Sequence, residues 1–185
     1  MSDISDKKEL LIGSGYRRFR IMDEMGIRNL STMKNDGEWN NLTTLDIDPN
    51  CKPDVIHDLN MFPYPFEDNT FDEIHAYDMM QHIGRQGDIH TFFKQFSELQ
   101  RILKPNGYVF IGCPKINSIW VWSDPGHCRY IGPNTLQFLS QDYYERERVN
   151  KTPATDYRYI WKGDFKIIYI KEMGELEYVS LKSIK

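Results

Sequence analysis

Cysteine is scarce: Cys51, Cys113 and Cys128 are the three among 185 residues. Their number is odd and their spacing is not that of metal ligands. This excludes a disulfide framework or a thiolate zinc site and points to free thiols in a reducing cytoplasm. Long apolar runs are missing too. No stretch approaches the roughly 18 residues of a membrane helix. Residues 1–10 are polar and charged where a signal peptide would be apolar. Nor is positive charge in excess: 23 Lys and Arg against 27 Asp and Glu leave a net charge of −4. A bulk grip on nucleic acid or on an anionic membrane is therefore not expected, although a local basic patch stays open. Repeats, low-complexity tracts and linker-like segments are also lacking. What remains is ordinary globular material, 40% hydrophobic and 27% charged, which excludes wholesale disorder. One cytoplasmic domain over residues 1–185 is the expectation, and composition says nothing of its oligomeric state.

Short apolar runs bounded by Gly, Pro, Asn or Asp fall at residues 9–13, 42–46, 54–57, 71–77 and 108–113, the pattern of buried strands. Residues 88–103 follow a different period. Ile89, Phe92, Phe93, Phe96, Leu99, Ile102 and Leu103 share one helical face, Asp88 is placed to cap it, and Lys104-Pro105-Asn106-Gly107 stops it. A second helix is predicted to open at Gly132-Pro133-Asn134 and run towards Arg148, with Leu136, Leu139 and Tyr143 inward. Segments 165–171 and 176–184 flank Met173-Gly174 as a hairpin. Strands alternating with helices and closed by a hairpin predict an α/β fold, a mostly parallel sheet with an antiparallel C-terminal edge.

In such a sheet ligands bind beyond the carboxyl ends of the strands. Ile12-Gly13-Ser14-Gly15 ends the first strand, where glycines let backbone N–H groups approach a ligand and a helix N-terminus would favour an anion. An ordinary tight turn is the competing reading, since the third glycine of the dinucleotide fingerprint is absent. Asp46, ending the second strand, can accept hydrogen bonds from two ribose hydroxyls, and Asp58 with the Leu59 backbone can read an adenine ring. Phe62-Pro63-Tyr64-Pro65-Phe66 is rigid enough to wall off such a ring. Residues 44–78 carry nine acids against one base, Lys52, and a solvated acidic face accounts for part of that. Asp46-x-Asp48-x-Asn50 mimics a calcium loop, but Cys51 and His57 stand where its glycine and closing glutamate belong. No metal is expected.

Taken in order, Leu11-Ile12-Gly13-Ser14-Gly15, Leu45-Asp46-Ile47-Asp48-Pro49, Pro53-Asp54-Val55-Ile56-His57-Asp58-Leu59, the run from Phe62 to Ile74 and Arg101-Ile102-Leu103-Lys104-Pro105-Asn106-Gly107 resemble successive motifs of class I S-adenosylmethionine-dependent methyltransferases. His75-Ala76-Tyr77-Asp78, Gln86-Gly87-Asp88 and Asp124-Pro125-Gly126-His127 are similar to a small subgroup found in phages and bacteria. The resemblance implies a Rossmann-like methyltransferase sheet, S-adenosylmethionine as cofactor, and a cofactor site of Gly13, Ser14, Gly15, Arg17, Asp46, Ile47, Asp58, Leu59 and Tyr77. Two positions depart from the family. Leu11 stands where an acid usually precedes the first glycine by two residues, and Arg17 replaces the loop's third glycine. Arg17 can instead pair with the cofactor carboxylate. Tyr16-Arg17-Arg18-Phe19-Arg20 reads either as a helix surface or as a contact for carboxylate or phosphate.

Methyl transfer from a sulfonium is an in-line displacement, so alignment in a water-poor site comes first and a base is needed only if the nucleophile loses a proton. His127 and Asp78 are the candidate catalytic residues. The ordinary pKa of a histidine suits the base, while a tie that merely holds the loop is the plainer role. Trp122, Asp124 and Arg129 are candidate acceptor contacts. Trp120 and Trp122 read equally as buried packing, and His82 as packing within a helix-like stretch. Ala76-Tyr77-Asp78-Met79 replaces the amino-methylating nucleic-acid signature. Cys113-Pro114 reverses the Pro-Cys order of cytosine carbon-5 enzymes, so Cys113 reads as a small buried residue. A small molecule or a modified nucleotide is the expected acceptor. The alternative function is a non-catalytic S-adenosylmethionine- or nucleoside-binding module that partners another protein. A nicotinamide-dependent oxidoreductase is disfavoured because the chain leaves no room for a second mononucleotide half.

Overall fold

The computed structural model describes residues 7–16, 18–28, 39 and 41–185. In chain order the elements are β1 (Lys8–Ile12), β2 (Met22–Asp23), β3 (Gly26–Ile27), β4 (Asn41–Asp46), β5 (Val55–Ile56), β6 (Phe71–Tyr77) and α1 (Ile89–Ile102). There follow β7 (Leu103–Pro114), α2 (Trp120–Ser123), α3 (Pro133–Leu136), α4 (Gln141–Asn150), β8 (Phe165–Met173) and β9 (Leu176–Ser183). Seven strands form one sheet in the order β5-β4-β1-β6-β7-β9-β8, while β2 and β3 pair apart from it. Strands β5, β4, β1, β6 and β7 run parallel. Strand β9 is antiparallel to both its neighbours, which gives the expected α/β sheet with its C-terminal hairpin. The strand order reverses at β1, with β4 on one side and β6 on the other. No helix among the described residues is long and apolar enough to cross a membrane.

Strand period two sorts the faces. On one face Leu10, Ile12, Ile74, Val109, Ile111, Val179 and Leu181 meet Phe92, Phe93, Phe96 and Leu99 of α1 in a single buried cluster. Each such side chain contributes roughly 1.5–3 kcal/mol by leaving water. Asp88 caps α1, its Oδ1 accepting from Thr91 N at 3.0 Å.

The opposite face carries buried charge. Glu9 of β1 sits directly across from Glu73 of β6, an arrangement that repels unless a cation intervenes. Arg20 supplies it, placing Nη1 2.8 Å from Glu9 Oε1 and Nη2 2.7 Å from Glu73 Oε2. Lys7 adds a contact of 2.8 Å to Glu73 Oε1. His75 follows on the same face, with Nδ1 2.8 Å from the Tyr77 hydroxyl and Trp39 edge-on at 4.8 Å. Burial drives the His75 pKa down to about 4 against the pull of the Glu73 carboxylate. An unfolded histidine takes up its proton near 6.5, so between those values the unfolded chain holds more protons than the folded one. Stability is therefore expected to fall as pH drops from 6.5 towards 4. Thermal melts across that window should be flatter for His75→Gln, and parallel curves for the two proteins would refute the assignment.

Three local expectations change. In the basic-aromatic cluster, residues 16 and 18–20 are not helical. Arg20 turns inward to the two glutamates, Arg18 Nη2 donates to Lys52 O at 2.7 Å, and the β2–β3 hairpin follows at once. The single helix from 132 towards 148 is broken. Ser140 is extended (φ −99°, ψ 128°) and its Oγ accepts from Tyr143 N, so a cap lies inside the apolar run and starts α4 afresh. Lys104-Pro105-Asn106-Gly107 does stop the helix, but as a bulge within β7. The register to β6 jumps from Phe71 opposite Leu103 to Glu73 opposite Tyr108.

Candidate functional site

The carboxyl ends of β1, β4, β5, β6 and β7 gather at one edge, beside the reversal of strand order where open α/β sheets take ligands. Gly13 and Gly15 both have left-handed backbones, φ 62° and 52°. A Cβ on Gly13 would lie 2.7 Å from Met79 Cβ, whereas Gly15 opens onto free space. Glycine is thus required at 13 for both strain and room. Ser14 N continues the ladder to Leu45 O at 3.2 Å. The turn is tied to β4 through Asp46, whose Oδ2 accepts from Gly15 N at 2.8 Å and whose Oδ1 accepts from Asp48 N at 2.9 Å. A carboxylate has about four acceptor sites, so each oxygen retains capacity for a hydroxyl. Ile47, next along, is exposed.

Asp58 lies two residues beyond β5 in a turn of its own. Its Oδ1 accepts from Asn60 N and Nδ2 at 2.9 and 3.0 Å, and its carbonyl accepts from Met61 N. Leu59 is buried beneath it, and its carbonyl accepts the Tyr64 hydroxyl at 3.2 Å. Tyr64 is itself core, stacked on Phe62, so the Phe62–Phe66 run of residues 62–66 buttresses Leu59 from below. Asn60 Oδ1 accepts from Gly84 N at 2.9 Å, which joins this turn to the loop after β6.

That loop opens on Asp78, a non-glycine residue with φ 52°. Its N–H donates to Gly112 O at 2.8 Å, and burial raises its carboxyl pKa above the usual range. Strain and a displaced pKa at a cleft mark a functional candidate. The next turn, Met80–His82, faces the segment after α2. Cys128 N donates to Gln81 O at 2.8 Å, and Gln86 N donates to Cys128 O at 2.9 Å, so residues 81–86 and 128 are laced together.

Here two imidazoles meet edge to face, His82 and His127, with ring centres 4.7 Å apart. His82 Nδ1 lies 3.0 Å from Gly126 O, and His127 Nδ1 lies 3.3 Å from Val121 O. A carbonyl only accepts, so both Nδ1 atoms carry the proton and both Nε2 atoms carry the lone pair in the neutral rings. Gln81 Nε2 is 3.3 Å from His127 Nε2, and Asp124 Oδ2 is 3.9 Å from it. Donor atoms of His82, Asp124 and His127 lie within 4.8 Å of one another, a set that suits a divalent transition metal as well as a proton relay. The other such grouping among the described residues, Glu9, Glu73 and His75, already holds Arg20.

These expected residues therefore come together unequally. Gly13, Gly15, Asp46 and Ile47 form one end, Asp58 and Leu59 the next, Asp78, Asp124 and His127 the far end. The Tyr77 hydroxyl points away, accepting from Met22 N at 3.0 Å on the charged face. Ser14 is buried. Arg17 lies outside the described residues. Trp120 and Trp122 are both exposed, flanking the buried Val121, which sets aside their reading as core. His82 sits in a helical turn as expected but packs only edge-on against His127, exposed and bonded to Gly126 O; the Asp-Pro-Gly-His run marked its partner but nothing marked His82 as part of the site. Cys113 is buried as expected, and burial raises its thiol pKa.

The sequence pattern of a methyltransferase-domain family matches residues 28–111, a little under half of the chain. Among solved structures, an S-adenosylmethionine-dependent methyltransferase from Archaeoglobus fulgidus is 17% identical with a TM-score of 0.59, over 96% of this chain and 86% of that one. The fold is the one seen in S-adenosylmethionine-dependent methyltransferases. A second such protein, from Mesorhizobium loti, is 11% identical with a TM-score of 0.53, over 98% of this chain and 93% of that one. The N-methyltransferase NodS from Bradyrhizobium japonicum, in complex with S-adenosyl-L-homocysteine, is 12% identical with a TM-score of 0.53, over 97% and 79%. No curated protein matches the sequence.

Proposed function

We propose that the chain is an S-adenosylmethionine-dependent methyltransferase acting on a small molecule or a modified nucleotide. The observation that carries the reading is the bond from Gly15 N to the Asp46 carboxylate, which fixes an open glycine turn beside an acid at the strand-order reversal. The residues present fit that cofactor. Asp46 would accept ribose hydroxyls on its remaining lone pairs, the Asp58–Leu59 turn would take the adenine, and the open face of the turn at Gly15, whose own N–H is held by Asp46, would lie against the methionine part. When bound, S-adenosylmethionine supplies an electrophilic methyl group. The protein aligns the acceptor with it in a site partly screened from water. His127 is the base: its Nδ1–H is held by Val121 O, and its Nε2 would take the acceptor's proton as the acceptor lone pair forms the new bond to carbon and the pair of the broken carbon–sulfur bond goes to sulfur, the thioether leaving group. Asp124, 3.9 Å from Nε2, then faces a protonated imidazole. The net charge of −4 favours such an acceptor over bulk nucleic acid, and a cytoplasmic setting, as for a phage or bacterial enzyme, completes the reading.

A second reading is a non-catalytic module that binds S-adenosylmethionine or a nucleoside for a partner. Leu11, buried in β1 where the family's acid is usual, favours it. Titration with S-adenosyl-L-homocysteine tests both. Asp46→Ala loses one or two charge-assisted bonds of about 1.5–3 kcal/mol each, so affinity is expected to drop at least tenfold with the circular dichroism spectrum unchanged. Equal affinity in a folded variant would remove Asp46 from the site. Transfer of labelled methyl to any acceptor decides between enzyme and module.

A further inference from the structure

Arg129 is 3% exposed, yet its Nε and Nη2 have no hydrogen-bond partner among the described residues. Burying a guanidinium is costly unless it is paired. Asp88 is near enough for its charge to be felt, but its Oδ1 caps Thr91 N and no ion pair joins it to Arg129 among the described residues. The guanidinium lies over the Phe92 ring, 5.7 Å from its centre. It also passes directly above Gly84 (φ 68°), where a Cβ would come within 1.8 Å of Nη2. The chain has thus cleared a path for a cation that it does not neutralise.

Arg129 also borders a cleft of about 420 Å³. Phe92, Phe93, Phe138 and Tyr157 supply aromatic walls, Asn134 a polar group, and Arg85 a second guanidinium. This volume falls in the range of small-molecule sites, which combine apolar walls with a few polar anchors. On its other side Arg129 lines a narrow gap shared with Gln81, Cys113 and His127. Arg129 and Tyr130 line both, so these two residues stand between the cleft and the proposed base.

We infer that this cleft receives the methyl acceptor, and that the acceptor is a small molecule whose carboxylate or phosphate pairs with Arg129 while an aromatic or branched apolar body lies on the phenylalanines. The inference rests on the methyltransferase reading above. An anion on Arg129 would meet a planar donor fork, restore the missing hydrogen bonds and cancel the buried charge.

Calorimetric titration of the full chain with phenylacetate, phenyl phosphate and the neutral phenylacetamide tests it. At least one anion is expected to bind ten times or more tighter than the amide, and whichever anion prevails names carboxylate or phosphate. Arg129→Met should abolish that preference and, by removing an unpaired buried cation, raise the ligand-free melting midpoint by about 2–4 °C. Equal binding of amide and anions, no response to either anion at millimolar concentration, or a variant that melts lower or fails to fold would overturn the proposal and make Arg129 structural. S-adenosyl-L-homocysteine is titrated alongside. Its failure to bind would sink the methyltransferase reading while the anion preference is read independently.

Discussion

Replacing His127 by asparagine is expected to lower methyl transfer roughly 10²–10⁴-fold with no loss of affinity for S-adenosyl-L-homocysteine. Asparagine keeps an N–H donor for the Val121 carbonyl, which holds the ring at Nδ1 in the native protein. It cannot supply the lone pair that His127 carries at Nε2. The side chain is 6% exposed, so the proton it takes would be poorly solvated without Asp124 at 3.9 Å. Asp124→Asn should therefore slow the same reaction by a smaller factor. Single-turnover transfer of a labelled methyl group, run on acceptors chosen for the Arg129 cleft, measures both. A tie that only secured the loop predicts another outcome, a lowered melting midpoint with transfer scaled to the folded fraction. Full transfer by a folded His127→Asn protein would leave Asp78, or alignment alone.

Glu73→Leu is the substitution expected to cost most stability, about 3–5 kcal/mol, by removing one partner from a buried ion cluster. Its carboxylate is 1% exposed and answers Arg20 at 2.7 Å and Lys7 at 2.8 Å. Burial alone would raise its pKa, but bonds from His75 and Lys7 and the charge of Arg20 outweigh it and hold the carboxyl at about 2. Leucine would strand Arg20 with Glu9 alone from the pair it now bridges. The surface pair of Lys115 with Glu172, 3.5 Å apart and with Glu172 67% exposed, is the control. Glu172→Gln should change stability by less than about 1 kcal/mol. Urea unfolding of the three proteins measures the contrast, and a Glu73→Leu loss no larger than that control would dissolve the idea of a coupled cluster. Glu9→Leu and Arg20→Met added to Glu73→Leu should recover part of the loss, since apolar replacement of a whole buried cluster is often neutral.

Sheet, α1 and hairpin were legible because burial on both faces leaves inner strands such as β6 as short runs closed by turn residues, α1 repeats its apolar face every three to four residues, and a glycine turn joins β8 to β9. The glycine turn and Asp46 were legible as a pair for the same reason, since both close strands whose inward residues are plain. What escaped depends on partners distant in sequence. Nothing local in Tyr16–Arg20, residues 16–20, announces that Arg20 answers two glutamates facing each other across β1 and β6. The cap at Ser140 is hidden because serine is tolerated within helices, and only its extended backbone separates α4 from the turn before it. Trp122 looked like core or wall by its size, but α2 is a single turn, too short to bury residues on either side of Val121. Arg129 was visible as one member of an acid, imidazole and guanidinium group. Its burial, its missing partners and the cleft beside it required the 81–86 loop to be laid over it.

The order of the sheet has a consequence for how the chain is made. Among the described residues, strand β8 lies at the sheet's edge and pairs with β9 alone, while β9 is inserted between it and β7. During synthesis β8 appears before β9 exists to pair with it, with Ile168 and Ile170 exposed even in the finished fold. It waits as an unpaired, partly apolar segment of the kind that invites association with other chains. The lysines along it, Lys166 and Lys171, are suited to discourage that association. Closure then comes late and over long sequence separation, which slows folding. A ribosome paused just short of residue 176 would hold a chain lacking two strands of its sheet, not one.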